Sequence, residues 1–514
     1  MLEGIAGLRG GAAAKNQLGC GEPSEASYTF KHALVREAAH ESLLKSRRQQ
    51  LHARIARALE ERWPETVKTE PELLAQHCTE AGLVEQAVEY RLRAGQQALA
   101  RSATAEAVAQ LSRGLELLAG LPDGPERRRR EVGLQLGLGP ALIAAKGFAA
   151  PETGRAYARA CELCRELGDT RRLFPALFGQ AAVHWQRAEV VAMQEVAREL
   201  LRSAEEQGDA AAEVVGHRLL GNSSFQLGRL AESRAHSEAG ITLHDATRDL
   251  NSRFVYALDS RVICLHWLSH ALLTLGYPSQ ARARSGEAID AARPLAHPNT
   301  MSQALVSDCT LHQLLRDRRE AQEQAVALIA LATEHGFPLW LAAGVVVRGW
   351  ALADGGRVEE GIAVMRRGLA DYRATGAETW SPYFLGLLAE AHGRGGQAAA
   401  GLRLAADALD RVERTGVRWI EAELHRLRGE LLLTVPEADQ PEVETCFVRA
   451  LTVAREQGAR LWELRAATSL ARLWRDQGRR AEAHDLLAPI HDWFTEGFDT
   501  PDLQDAKALL DELR

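Results

Sequence analysis

The chain has 514 residues, 46% of them hydrophobic but only 5% aromatic, and a formal net charge of −7. That length exceeds what one compact core serves, the acidic balance argues against a large nucleic-acid footprint, and no apolar run reaches membrane-spanning length, 339–347 being among the longest. Seven scattered cysteines (Cys20, Cys78, Cys161, Cys164, Cys264, Cys309 and Cys446) suggest no disulfide framework. With a start that lacks the uninterrupted apolar segment of a signal peptide, they predict a reduced, cytoplasmic protein with no membrane or nucleic-acid partner.

Residues 1–27 are glycine-rich without an apolar period and are predicted to be irregular or disordered. Tyr28, Thr29 and Phe30 read as one short strand. Residues 32–63 are helical in pattern, with a break near 45–48, and Pro64 and Pro71 punctuate the chain after them. From residue 71 the chain reads as helix, tight turn, helix, over and over. A small residue, a Gly seven positions later and a second small residue five after that recur as Ala75, Gly82, Ala87, as Gly221, Gly228, Ser233 and as Ala471, Gly478, Ala483.

Between 269 and 401 the same register repeats every 40 residues. Ser269, Cys309, Gly349 and Ala389 precede the turn, Ala281, Ala321, Gly361 and Gly401 come after it, and Gly276, Gly356 and Gly396 make it. Twelve residues past the turn come Ala94, Gly240, Ala288, Gly368 and Ala408. A small side chain lets a facing helix approach closely, and Gly ends a helix in the left-handed conformation without steric cost. The pattern predicts stacked helical hairpins. Residues 104–118 add a helix, and 126–208 hold two further pairs of degenerate register. Clear units turn near Gly228, Gly276, Arg316, Gly356, Gly396, Pro436 and Gly478. Arg316 stands where Gly is usual, which predicts a looser cap there. The excess between Gly228 and Gly276 is expected as a longer helix or loop near 245–253. The unit at Pro436 carries a small insertion between Gly429 and Ala450.

This spacing resembles the tetratricopeptide repeat. The usual unit is 34 residues, and the longer one here is similar to the superhelical sensor of the maltose-regulon activator class. The resemblance implies an all-α, right-handed solenoid of about nine to ten hairpins over 71–495, closed by a capping helix over 500–514. It also implies that the first helices line a concave face. The family's inward offsets fall on Arg218, Asn222, Gln226, His266, His270, Thr310, Gln313, Trp350, Asp354, Glu390, Arg394 and Arg472, a set suited to a protein or peptide partner or a small polar ligand.

A second resemblance lies over 28–59. Phe30, His32, Leu34, Ala38, Leu43, Leu44, Leu51, His52 and Ala56 are similar to the segment that ends the ATPase module in bacterial AAA-like or STAND signalling proteins, often joined to class III adenylate or guanylate cyclase domains. His40 replaces the usual Tyr. The resemblance implies that 28–63 is the remnant of a winged-helix-like end of such a module and that His32 lies near a nucleotide. No GxxxxGK[ST] loop occurs anywhere, since Gly4, Gly7, Gly10 and Gly11 do not meet that spacing. No cyclase domain fits ahead of residue 28. His266 and His270 lack the Glu of an HExxH zinc motif, and Cys161 and Cys164 form a CxxC without a second pair. The expectation is a non-enzymatic binding scaffold with no cofactor and no metal, the C-terminal regulatory part of a signalling ATPase or cyclase. The alternatives are an ATP-dependent regulator completed by a separate ATPase or cyclase domain, in cis or in trans, and a transcriptional regulator subunit whose DNA-binding domain lies elsewhere.

Overall fold

The computed structural model describes residues 44–101, 103–247, 258–436 and 439–514. The expectations for 1–27, for the strand at 28–30, for Phe30, His32, Leu34, Ala38, His40 and Leu43, and for most of the excess before Gly276 lie outside the described residues. All regular structure among the described residues is helical, apart from turns, and the chain divides into two compact units, 1–145 and 146–514.

The first unit holds α1 (Lys45–Arg62), α2 (Pro64–Thr69), α3 (Pro71–Ala81), α4 (Val84–Ala100), α5 (Thr104–Ala119) and most of α6 (Pro125–Lys146). Gly82, at φ +77°, closes the α3–α4 turn. Gly95 and Gly114 bring α5 against α4 and α6: a Cβ on Gly95 would lie 2.5 Å from Leu111 Cγ, and one on Gly114 would lie 2.8 Å from Leu134 Cδ2.

The second unit begins with α7 (Pro151–Leu167) and then stacks hairpins: α8 (Thr170–Gln186) with α9 (Val190–Gln207), α10 (Ala210–Gln226) with α11 (Leu230–Thr247), α12 (Ser260–Thr274) with α13 (Pro278–Ala292), and α14 (Pro298–Leu314) with α15 (Arg318–His335). Next come α16 (Pro338–Asp354) with α17 (Val358–Ala374), α18 (Ser381–Arg394) with α19 (Ala398–Thr415), α20 (Glu421–Leu433) with α21 (Gln440–Gln457), α22 (Arg460–Asp476) with α23 (Arg480–Asp492), and the single α24 (Pro501–Leu513). Local sequence sets these boundaries. Proline opens α7, α13, α14, α16 and α24 at a position whose N–H needs no partner. The carboxylates of Asp169, Asp209, Asp259 and Asp317 cap their helices by accepting a backbone N–H three residues on.

The small residues mark the crossings, as the spacing predicts. A Cβ on Gly349 would sit 2.8 Å from Met365 N and 2.9 Å from the Gly361 carbonyl oxygen, so α16 and α17 touch backbone to backbone. Ala281 and Ala321, which hold the place of Gly361 in their own hairpins, are fully buried. The expectation of a loose cap at Arg316 is corrected. Arg316 takes φ +59°, and its N–H and that of Asp317 donate to the Gln313 and His312 carbonyls at 3.0 and 2.9 Å, as tightly as Gly356 and Arg357 bind Ala353 and Leu352.

Within this unit the coil is wound tightly enough for its turns to meet. The Glu378 N–H donates to the Gln186 carbonyl (2.8 Å), and the N–H groups of Arg418 and Trp419 donate to the Gln226 carbonyl (2.7 and 3.3 Å). Further along, Glu496 accepts from the N–H groups of Ser279 and Gln280 at the start of α13 (2.9 and 3.1 Å). One apolar core consequently runs from Ala188 to Trp462.

Candidate functional site

In the hairpins of the second unit from α12 on, the first helix is more deeply buried than its partner. In α12 all residues but Arg261 are buried, whereas its hairpin partner α13 buries only Pro278, Ala281, Ser285, Ala288 and Ala292. The stretch from Val262 to Leu275 has no Asp, Glu, Lys or Arg, which fits a helix covered on every side.

The structure divides the candidate inner-face residues into two groups. The first is internal. Arg218 lies over the Phe178 ring at 5.2 Å and donates to the Leu258 carbonyl and to Ser260 Oγ (3.3 and 3.4 Å). Asn222, Gln226, His266, His270 and Thr310 are buried beside it along the axis. His266 and His270 stack with ring centroids 4.6 Å apart. Gln303 Nε2 reaches His266 Nδ1 (2.6 Å), and His270 Nε2 lies 3.1 Å from Thr310 Oγ1. Burial lowers both imidazoles, His270 to about 4 and His266 well below its ordinary value, so both are neutral at pH 7. No group of three or more potential metal ligands forms among the described residues. The Cys161 and Cys164 thiols are buried and pushed up, to about 12 and about 11, which leaves them protonated and unreactive.

The second group meets at a cleft. Between α14, α16, α18, α20, α22 and α24 the inner wall opens into a solvent-connected space of about 930 Å³. Gln313, Trp350, Glu390, Arg394 and Arg472 line it, and Asp354 adjoins it by accepting from Arg394. Leu387, Leu424 and Leu427 form an apolar floor with Trp350, Tyr383 and Trp462. Tyr383 donates its hydroxyl to Gln313 Oε1 (2.6 Å).

Sequence reasoning missed most of the charged wall. Arg426 makes a two-pronged pair with Glu423 (2.7 and 2.8 Å) and reaches Glu430 (3.1 Å). Arg465 donates to Asp502 (2.8 Å) and to the Leu314 carbonyl (2.5 Å). Arg316 reaches Asp502 and Asp505 at 3.2 and 2.8 Å. Burial alone would raise the Glu423 and Asp502 carboxyls, but the arginines beside them more than offset it and hold both below the usual carboxylate range. A signal for two of these residues was present. Arg426 and Glu430 stand three before and one after Gly429, the offsets that Arg218 and Asn222 hold from Gly221, but the insertion near Pro436 hid the register.

No protein-family model matches the chain. An uncharacterized protein of Rhizobium meliloti (strain 1021) is 25% identical over 456 residues, which cover 88% of this chain and 44% of that protein. The chain thus spans less than half the length of this curated relative. Among solved structures, a Rap protein complexed with competence and sporulation factor is similar at 11% identity and a TM-score of 0.51, over 72% of this chain and 98% of that one. A STAND (signal transduction ATPase with numerous domains) protein with a tetratricopeptide repeat sensor from Pyrococcus horikoshii is similar at 14% identity and a TM-score of 0.41, over 75% and 54%. The likeness to the Rap protein is one of fold, and the fold is an all-α, tetratricopeptide-like solenoid.

Proposed function

We propose that this chain is a non-enzymatic scaffold whose inner cleft holds a protein or peptide partner. The observation that carries the reading is the cleft itself: an apolar and aromatic floor ringed by arginines from successive inner helices, the combination that buries side chains while fixing a backbone through directed hydrogen bonds. The Rap protein of similar fold is complexed with a factor, which supports a binding role for this fold here. The double variant Trp350→Phe/Arg394→Gln, which keeps most of the buried volume, is expected to weaken partner capture while leaving the melting temperature within a few degrees of the parent. An unchanged set of cross-linked partners overturns the reading.

At finer grain, the proposal is that the solenoid is the sensor part of a bacterial ATPase or nucleotide-cyclase signalling protein, with 28–63 as the end of its ATPase module and His32 beside the nucleotide. The matching relative is more than twice as long as the segment it shares with this chain, which supports a regulatory piece within a larger machine. The isolated chain is then expected to give a flat calorimetric titration with ATP. A saturable heat would favour a nucleotide site of its own.

A further inference from the structure

The cleft has a surplus of donors. Each carboxylate on its wall already holds an arginine: Glu390 takes Arg394 at 2.9 Å, Glu423 takes Arg426 at 2.7 Å, Asp502 takes Arg465 at 2.8 Å and Asp505 takes Arg316 at 2.8 Å. Among the described residues, one donor on this wall is unpartnered and one is only loosely held. The Trp350 ring lines the cleft, the residue is only 2% exposed, and its buried indole N–H has no hydrogen-bond partner among the described residues. Such a group costs free energy until an acceptor reaches it. Arg472 is 44% exposed and comes no closer than 3.9 Å to Asp505, its sole ion-pair partner among the described residues.

Deepening the peptide-binding reading, on which it rests, we infer that the cleft selects acidic peptide segments with interspersed apolar residues. The leucine floor takes the apolar side chains, and the carboxylates go to Arg472 and Arg316. Asp505 is a built-in stand-in for the ligand: a half-exposed carboxylate on α24, placed between those two guanidinium groups. A ligand carboxylate competes with it, and the indole N–H of Trp350 awaits an acceptor oxygen of the same ligand. Charge-assisted pairs to arginine are the strong, directional kind.

The test uses the full chain, fluorescently labelled, on an array of synthetic peptides that spans net charge from strongly acidic to strongly basic. The best acidic binder is then compared in solution with its Asn/Gln isostere by fluorescence anisotropy. Binding is expected to concentrate on acidic, apolar-interspersed peptides, with the isostere weaker by about tenfold and the affinity falling as salt is raised. Arg472→Gln and Trp350→Phe should each weaken binding by about three- to tenfold at an unchanged melting temperature. Asp505→Asn should tighten it, a response that a merely structural role for Asp505 would not produce. Charge-independent binding that is lost in Trp350→Phe/Arg394→Gln overturns the acidic selectivity and leaves the peptide reading standing. The selectivity also falls if Asp505→Asn and Arg472→Gln leave the acidic binder unaffected. No binding anywhere on the array overturns both.

Discussion

Gly349 and Arg316 show how much a single side chain decides here. At Gly349 there is no room between the α16 and α17 backbones, so Gly349→Leu must push the helices apart, and it is expected to destabilise by roughly 2–4 kcal/mol in urea unfolding. Gly286 lies inside α13 with nothing near its missing Cβ. There Gly286→Ala should stabilise by about 0.5–1 kcal/mol, the ordinary helix-propensity gain. Equal effects at the two sites would contradict the crossing. Arg316 accepts a left-handed backbone that disfavours non-glycine residues by about 1–2 kcal/mol, and its guanidinium then bridges Asp502 and Asp505. Asp502 is almost wholly buried, so Asp502→Ala takes the nearest carboxylate from Arg465, leaving Glu423 at 3.4 Å, and should lose about 3 kcal/mol. Asp505→Ala, half exposed, should lose under about 1 kcal/mol.

At the scale of the helix, α12 carries two of the histidines through which burial makes stability depend on pH; His77, held at about 4, is another. His266 and His270 are buried among Trp267, Trp380, Gln303 and Thr310, and both are held below the ordinary imidazole range by burial. A group with a lowered folded-state pKa stabilises fully above its unfolded value, near 6.5, and loses that stability as pH falls toward its folded value. Unfolding free energy should therefore drop by up to about 1.4 kcal/mol per pH unit for each histidine between pH 6.5 and about 4. The double variant His266→Gln/His270→Gln should flatten that slope. Glu423 and Asp502 act lower, since their stabilising pairs are lost only as pH falls below about 4. Helix-level structure was legible in the sequence to the extent that it is local. The hairpin crossings follow from small residues a fixed distance apart, and a second glycine series, Gly168, Gly208, Gly336, Gly376 and Gly416, closes the second helices or sits just past them in the left-handed conformation. That second series went unread. The fate of the inner face was not legible, because burial of Asn222, Gln226 and His266 depends on turns of the coil that meet far apart in sequence. The cleft was legible only in part: Trp350 and Arg394 follow the repeat offsets, whereas Asp502 and Asp505 arrive from a helix outside the repeat.

For the second unit as a whole, contact between turns departs from the nearest-neighbour behaviour of an open solenoid. Trp419 touches Phe225 at 5.2 Å between ring centroids, and its N–H is bound to Gln226. Trp419→Ala should therefore lower amide-exchange protection in α10 as well as in adjoining α18 and α21. Protection lost only next to the substitution would show that the turns are energetically independent.

The same closure has a consequence during synthesis. Phe225 and Trp267 have emerged long before Glu378, Arg418 and Trp419 are made, and these later residues supply the covering turn. Until then the early hairpins present a sticky aromatic wall to the cell. A nascent chain halted near residue 300 should engage holdase chaperones far more than one released at its end.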